Sequence, residues 1–328
     1  MSCKVIKFGV ILLAMSALAA CRLDQPTSQG EENFAGKDLR GYDFTGKNLK
    51  GANFDGANLN GVRLVSANLE GASFKAADLR EAYLRDANAQ GANFSQADLG
   101  AADLTRAQLE RANFERSSLV RSRLDSARAA GANFEYAFLS AASMIKADLT
   151  ASRMRGAVLE SAQMTQAKLR AAQLQDAVLG ASSAAQQGPS AAILSGVDAR
   201  ECDFSQAQMT SVNLSEAQLQ GARFLGARLE HANLSWAHAD NADFSKARLG
   251  WARAYSLNLR GARLDSAVLT QAQLEGADLS GASLRGAVLD NANLNQAKLE
   301  NVDAQGVQAR NVLINASSGS GLDKFKPR

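Results

Sequence analysis

The sequence predicts an all-β protein wound as a four-sided coil, and two spacings support that prediction. Large apolar residues fill 28 of the 30 positions numbered in 4 or 9 from Phe34 to Leu179, and 20 of the 25 from Leu194 to Ile314. This period of five fits neither the helical repeat of about 3.6 residues nor the strand repeat of about two. Phenylalanine recurs every 20 residues, at Phe34, Phe54, Phe74, Phe94, Phe114 and Phe134 and again at Phe204, Phe224 and Phe244. If like side chains stack on like, one turn of the coil takes four units.

The repeating unit is small–polar–large–x–x, as in Ala52-Asn53-Phe54-Asp55-Gly56. We call the large residue the centre. The small residue two positions before it, such as Ala132, is also predicted to point inward, because only a small side chain lets facing walls pack closely. The polar residue before each centre, such as Asn93 or Asn113, is predicted to stack on its counterpart in the next coil and form a ladder of side-chain amides.

The run Ala-(Asp/Asn)-Leu-x-x, as in Ala77-Asp78-Leu79 and Ala277-Asp278-Leu279, resembles the pentapeptide-repeat family over roughly residues 33–315. The resemblance implies a right-handed quadrilateral parallel β-helix, a solenoid of about 14 coils at four centres per turn. The four sides also follow from the phenylalanine spacing, whereas the handedness comes from the resemblance alone.

Residues 1–20 are predicted to be a lipoprotein signal peptide. Lys4 and Lys7 precede an apolar run that is too short to span a bilayer, which takes about 20 apolar residues. The run ends in Leu18-Ala19-Ala20-Cys21, which is similar to a bacterial lipobox. That resemblance implies that Cys21 is acylated and anchors the chain in the membrane. An ordinary secretory signal followed by an incidental Cys is the alternative.

The residues after the lipidation site bear on localisation. Arg22 follows Cys21, whereas in the lipoprotein sorting pattern Asp at that place tends to retain a protein in the inner membrane, so the outer membrane of a bacterial envelope is the expected location. Residues 21–32, which contain Pro26 and Gly30, are expected to form the acylated Cys and a flexible leash.

One interruption divides the repeat into residues 33–181 and 192–315. Between Leu179 and Leu194 the centres would be Ala184 and Pro189, and Pro lacks the ladder N–H. We predict that residues 182–191 form a projecting loop and that Leu194 follows Leu179 as the next side. Deleting these ten residues aligns the two phenylalanine columns, and it also aligns four centres that hold Ala, namely Ala89, Ala129, Ala199 and Ala239. The polar residues 316–328 are expected to be a mobile tail.

Charge and cysteine content exclude several function classes. The chain has 36 Lys and Arg against 33 Asp and Glu, so removing Lys4 and Lys7 with the signal peptide leaves a net charge of +1. A near-neutral coil neither attracts nucleic acid strongly nor imitates its charge. Cys3 leaves with the signal peptide and Cys21 is used by lipid, so Cys202, at an inward position, is left without a disulfide partner.

No catalytic, metal or cofactor site is predicted. The chain has two His residues, His231 and His238, and neither has Cys or carboxylate neighbours at metal-ligand spacing. The glycines fall mostly at corners and form no phosphate-binding loop. We therefore expect a protein that is not an enzyme and that needs no cofactor.

Three regions remain as candidates for partner contact. His231, Trp236, Trp251 and Tyr255 should cluster, because Trp251 lies 20 residues after His231 and should stack on it. Exposed aromatic residues can anchor a partner, although they can also simply lie along the coil surface. Gln186, Gln187 and Pro189 represent the loop. A third region, the belt of Arg106, Arg111, Arg116 and Arg121, either pairs with Glu110, Glu115 and Asp125 or binds a lipid headgroup or partner.

The leading interpretation is a lipid-anchored envelope protein that serves as a rod-like scaffold for a protein or envelope partner, with no role in nucleic-acid binding. The alternatives are a topoisomerase-protecting DNA mimic, which some pentapeptide-repeat proteins resemble, and an exported effector or mechanical spacer. A coil with bare ends exposes strand edges, so end-to-end homodimerisation is also expected as a hypothesis.

Overall fold

The computed structural model describes residues 32–180, 191–319 and 325 of the chain. Within these ranges the backbone is a parallel coil, in which each polar residue before a centre pairs with the residue 20 positions later, as Asn53 does with Ser73. The pairing residues are single bridges rather than longer strands, and they run from Asn33 to Ser318. No described residue lies in an α-helix. The predicted fold class and the period of 20 are therefore confirmed.

We number the four sides by their centres: side 1 carries Phe54, side 2 Leu59, side 3 Leu64 and side 4 Leu69. Each corner takes the number of the side that precedes it. The N–H of Ala57 donates to the carbonyl of Phe54 at 3.0 Å and closes a four-residue turn at corner 1. The third residue of this turn, Gly56, has φ +62°. A positive φ at that place is typical of type II turns and favours glycine.

The same backbone conformation recurs at the other corners, and most of them do not hold glycine. There are 36 described residues with side chains that have φ between +51° and +61°. A left-handed conformation costs on the order of 1 kcal/mol in a residue with a Cβ. Because so many corners adopt it, positive φ is a requirement of this coil and does not by itself mark a functional residue.

Neighbouring coils are joined by three backbone hydrogen bonds per unit. On side 1, the N–H of Phe54 donates to the carbonyl of Ser73 at 2.7 Å, and that of Gly56 donates to Lys75 at 2.9 Å. The N–H of Asn53 donates in the opposite direction, to Glu32 at 2.9 Å. Each unit in the interior of the coil therefore contributes donors and acceptors to the coils on both sides of it, as buried backbone groups require.

The lumen is filled by the centres and by the small residues before them. Leu59, Leu79 and Ala132 are fully buried, which confirms that both positions of the unit point inward. The phenylalanine rings of side 1 stack almost parallel; Phe54 and Phe74 have centroids 4.8 Å apart. This distance equals the spacing of paired strands, so the backbone hydrogen bonds and the ring stack impose the same rise.

The register across the interruption is the predicted one. The pairing interval lengthens from 20 to 30 residues at Gln163 with Ile193 and returns to 20 at Ile193 with Asn213. The N–H of Ala192 donates to the carbonyl of Leu179 at 2.8 Å, so Leu194 is the next centre after Leu179. Phe134, Met154, Leu174 and Phe204 consequently lie in one column. Of the predicted loop, residues 182–190 lie outside the described residues.

The C-terminal end differs from the expectation. The coil does not stop at residue 315, because Ser318 still pairs with Lys298 and its carbonyl accepts the N–H of Leu299 at 2.7 Å. Phe325, in the expected polar tail, is fully buried in the core cluster. The six residues from Gly319 reach at most about 20 Å, so Phe325 packs at the C-terminal end of the coil. Its apolar ring is the physical reason why the tail is not uniformly solvated.

Candidate functional site

The first candidate site is the aromatic surface, which consists of His231, Trp236, Trp251 and Tyr255. His231 and Trp251 follow each other at corner 2, with ring centroids 5.3 Å apart and planes at 14°. Trp236 lies at corner 3, where its backbone N–H donates to the backbone carbonyl of Tyr255 at 2.9 Å. The predicted stack is therefore present, and the rings border side 3 on two opposite edges.

The two tryptophans of the aromatic surface are exposed to solvent. Trp236 is 59% exposed and Trp251 is 51% exposed. Their corners have φ +60° and +56°, where glycine would fit without strain. Large aromatic side chains thus occupy corners that the fold could build from glycine, which makes this surface unusual in composition although not in backbone.

The strip of side 3 between the two tryptophans is polar. Asn233 and Arg253 occupy paired positions in adjacent coils. The amide of Asn233 donates to Oδ1 of Asn213 at 3.2 Å. Arg253 is exposed and makes no ion pair with any residue in the described ranges. The centre of this strip therefore offers one unengaged cation among side-chain amides.

The core beneath the aromatic surface departs from the repeat. The centre Ala254 is small, and Leu257 stands where the unit usually has Ala. A cavity of about 10 Å³ lies between them, lined also by Phe244 and Leu249. The exchange of large and small residues restores most of the volume but leaves this gap, as expected when a swap is made without close matching of shape.

A second surface was missed in the sequence analysis. We define the apolar stripe as Tyr136, Phe138, Val158 and Val178. The last three pair in succession along side 2, at positions that usually hold Asn, Asp or another polar residue. Phe138 is 51% exposed and Tyr136 is 45% exposed. Apolar residues at positions ending in 8 and spaced by 20 are the sequence signal of this stripe, and they lie at outward positions that the buried pattern does not include.

The arginine belt is only partly self-paired. Arg106 binds Asp86 at 2.7 Å, and Arg116 lies 3.9 Å from Glu115 and over the ring of Tyr136. Arg111 and Arg121 are exposed and have no ion-pair partner within the described part of the chain. Because the four arginines point from four different corners, they do not form one concentrated patch.

Elsewhere on the outer faces, polar side chains form hydrogen bonds and ion pairs with one another. The amide of Asn133 donates to Oδ1 of Asn113 at 3.0 Å, which confirms the predicted amide ladder. Arg40 donates side-chain hydrogen bonds to Asp38 and lowers the pKa of that carboxyl to about 2. Hydrogen bonds from Arg80 likewise lower the pKa of Asp78. These outward groups are occupied in holding one another.

Several predicted features lie outside these surfaces. Cys202 is fully buried, as its inward position predicts, and burial raises the pKa of its thiol. Cys21 and the loop residues Gln186, Gln187 and Pro189 lie outside the described residues. In the described ranges, no group of His, Cys, Asp and Glu is arranged to hold a metal ion. No helix in those ranges is long and apolar enough to cross a bilayer.

Comparison with protein families identifies the repeat. A model described as "Pentapeptide repeats" matches in eight copies between residues 142 and 314. A second model, "Pentapeptide repeat region", matches residues 37–134. No curated protein matches the chain in the corresponding sequence search.

Solved structures with similar coils come from several sources. HetL of Nostoc sp. strain PCC 7120, involved in heterocyst differentiation regulation, is 25% identical over 84% of this chain and 90% of its own, with TM-score 0.30. A pentapeptide repeat protein of the Arabidopsis thaliana thylakoid lumen is 32% identical over 28% of this chain and 65% of its own, with TM-score 0.28. Trypsin-treated QnrB1, a plasmid-mediated fluoroquinolone resistance protein, is 17% identical over 51% and 86%, with TM-score 0.33.

Proposed function

The chain belongs to the pentapeptide-repeat family, and we propose that it is a non-enzymatic, lipid-anchored scaffold of the bacterial envelope that holds a partner on the outer faces of its coil. Members of the family fold as right-handed quadrilateral β-helices and are generally non-enzymatic structural proteins. The side chains that fill the lumen leave only the outer faces for recognition.

One observation carries the binding role: apolar and aromatic side chains are exposed on faces whose other side chains are polar. In the apolar stripe, Tyr136 at corner 1 and Phe138 on side 2 are neighbours and are both exposed to solvent. Contiguous exposed apolar groups of this kind mark interaction sites in soluble proteins. We propose that the apolar stripe contacts a protein partner.

A pair of matched variants tests this role. Phe138→Asn introduces the residue type that the repeat normally carries at that position, so the coil should remain folded. Tyr83→Asn is the control, because Tyr83 is similarly exposed, at 46%, but lies on side 3 and in an earlier coil than either surface. Envelope proteins captured by the tagged wild type should be lost with Phe138→Asn and retained with Tyr83→Asn. Retention by both variants would refute the stripe as the docking face.

The lipid anchor is proposed from the lipobox alone. Its test is incorporation of radiolabelled palmitate into wild type and into Cys21→Ala. Label in the wild type and none in the variant supports the anchor, and equal label in both contradicts it. Fractionation of the outer and inner membranes then tests the proposed outer-membrane location.

We also propose end-to-end homodimerisation. Within the described ranges, Asn33 and Asp38 are the first residues of their bridge columns, so the first described coil has an edge that no described residue pairs with. Exposed edges of this kind favour pairing with a second chain. A clean monomer in sedimentation at high protein concentration would contradict this proposal.

A further inference from the structure

We propose that the aromatic surface and the polar strip beside it bind a glycan strand that carries carboxylate groups, lying across side 3 between corners 2 and 3. This inference rests on the proposed scaffold function and names the chemical class of one ligand. It assigns Trp236 and Trp251 as stacking platforms and Arg253 as the carboxylate contact.

The first argument is the placement of the rings. Trp251 is backed by His231 in a stack at corner 2, and Trp236 is exposed at corner 3, so the platforms stand on opposite edges of one side. The face of an aromatic ring is electron-rich and attracts groups with partial positive charge. The C–H bonds on the flat face of a pyranose ring have that character, whereas its equatorial hydroxyls project sideways and need hydrogen-bond partners.

The second argument is the chemistry of the strip between the rings. Its central positions in successive coils hold Asn213, Asn233, Arg253 and Gln273. Amide side chains both donate and accept, as sugar hydroxyls do. Among residues 211–276, the exposed large apolar residue other than the tryptophans is Val268, which lies on side 2, across corner 2 from the strip. A protein partner would favour the apolar stripe, whereas the strip between the tryptophans offers amides and a guanidinium rather than exposed aliphatic side chains.

The third argument is the unengaged charge. Nearby arginines on other sides are paired: Arg248 with Glu230 at 2.7 Å, and Arg260 with Asp278 at 3.5 Å. Arg253 is the arginine of the central strip, and within the described residues it has no such partner. A guanidinium that is planar and always charged binds carboxylates through two parallel hydrogen bonds. An acidic sugar resting on the tryptophans would bring its carboxylate to this group.

The fourth argument is that the residue choices here oppose stability. A larger centre than Ala254 is the rule in the repeat, and Leu257 stands at a position where the repeat usually has Ala. The cavity beneath the surface adds to these departures. Local violations of folding rules that cluster at one place are typical of binding sites.

The chain offers a direct assay, because its two tryptophans both belong to this surface. We would titrate the folded protein with a hexuronic-acid tetrasaccharide and with the neutral hexose tetrasaccharide of the same linkage, and follow tryptophan emission. The acidic tetrasaccharide is expected to give a saturable change, and Arg253→Gln to weaken its binding by about tenfold or more, as loss of a charged hydrogen bond implies. Arg153→Gln, at an equivalent outward position on side 1, should bind like wild type.

Single-tryptophan variants separate the two platforms. Trp236→Phe and Trp251→Phe each leave one reporter, and both reporters should respond at the same ligand concentration if one strand spans side 3. Far-UV circular dichroism shows whether each variant keeps the coil. No emission change with the acidic tetrasaccharide, equal affinity for the neutral one, or unchanged binding by Arg253→Gln would each overturn the assignment. A protein captured through the tryptophans in the absence of any sugar response would also overturn it. The palmitate and Phe138→Asn experiments involve no sugar, so the scaffold function and this inference can fail separately.

Discussion

The stacked phenylalanine column allows the energy of one ring pair to be measured. Phe224 lies between two other rings, with centroids 5.0 Å from Phe204 and 4.6 Å from Phe244. Phe204 has a ring on one side only, since Leu174 precedes it in the column. Both side chains are fully buried. The substitutions Phe224→Leu and Phe204→Leu keep an apolar residue that the column accepts elsewhere, at Leu264.

The magnitudes follow from the number of ring contacts that each substitution removes. Replacing a buried Phe with the smaller Leu costs transfer and cavity energy, and this packing cost is expected to be similar in the two variants. An aromatic pair contributes about 0.5–1.5 kcal/mol beyond its buried area. Phe224→Leu loses two pairs and Phe204→Leu loses one, so Phe224→Leu should be more destabilising by about 0.5–1.5 kcal/mol.

The assay is the free energy of unfolding from guanidinium titration of wild type, both single variants and the double variant. In the double variant the pair between Phe204 and Phe224 is counted once, so its loss should be smaller than the sum of the single losses by about 0.5–1.5 kcal/mol. Strict additivity, together with equal losses in the single variants, would refute the claim that ring stacking stabilises the coil. Burial alone would then account for the column.

Three further predictions concern the core, the outer faces and the thiol. Ala132→Leu should overpack the filled lumen and lower the free energy of unfolding by about 1–3 kcal/mol, and an unchanged melting temperature would contradict the inward assignment of Ala132. The pKa of Asp78 is lowered in the fold, so its pairing contributes stability above the unfolded value of about 4 that is lost as pH falls through the folded value. Arg80→Gln should therefore be less stable than wild type at neutral pH, and the difference between their guanidinium unfolding midpoints should decrease as the pH is lowered. A difference that does not change with pH would contradict this link between the Asp78 pKa and stability. With Cys3 and Cys21 replaced, buried Cys202 should react with a thiol reagent only on unfolding, and rapid reaction of the native protein would show that the lumen is open there.

Several features of the fold were predictable because equivalent positions in successive coils have the same surroundings. The inward positions, the register of Leu194 after Leu179 and the stack of Trp251 on His231 all follow from an interval of 20 residues that resumes after a ten-residue shift. Each unit has to bury its own centre, so the local sequence pattern also predicts which residues are in contact in the folded coil.

The apolar stripe and the end of the coil were not predicted, for two different reasons. Phe138 belongs to the outward register, where no packing rule constrains the residue, so a search for buried periodicity passes over it. Phe325 lies beyond the last pentapeptide, so no repeat interval predicts its burial.

The sequence by itself determined the four-sided coil, its core and its interruption, because a strictly periodic chain has only one way to bury every fifth side chain. Only the tertiary structure decided which charged side chains remain unengaged. Arg248 reaches a carboxylate at residue 230, 18 positions earlier, whereas Arg253 in the neighbouring unit reaches none in the described chain. Long flexible side chains choose among several partners on adjacent coils, and that choice depends on three-dimensional distances and not on the period of the sequence.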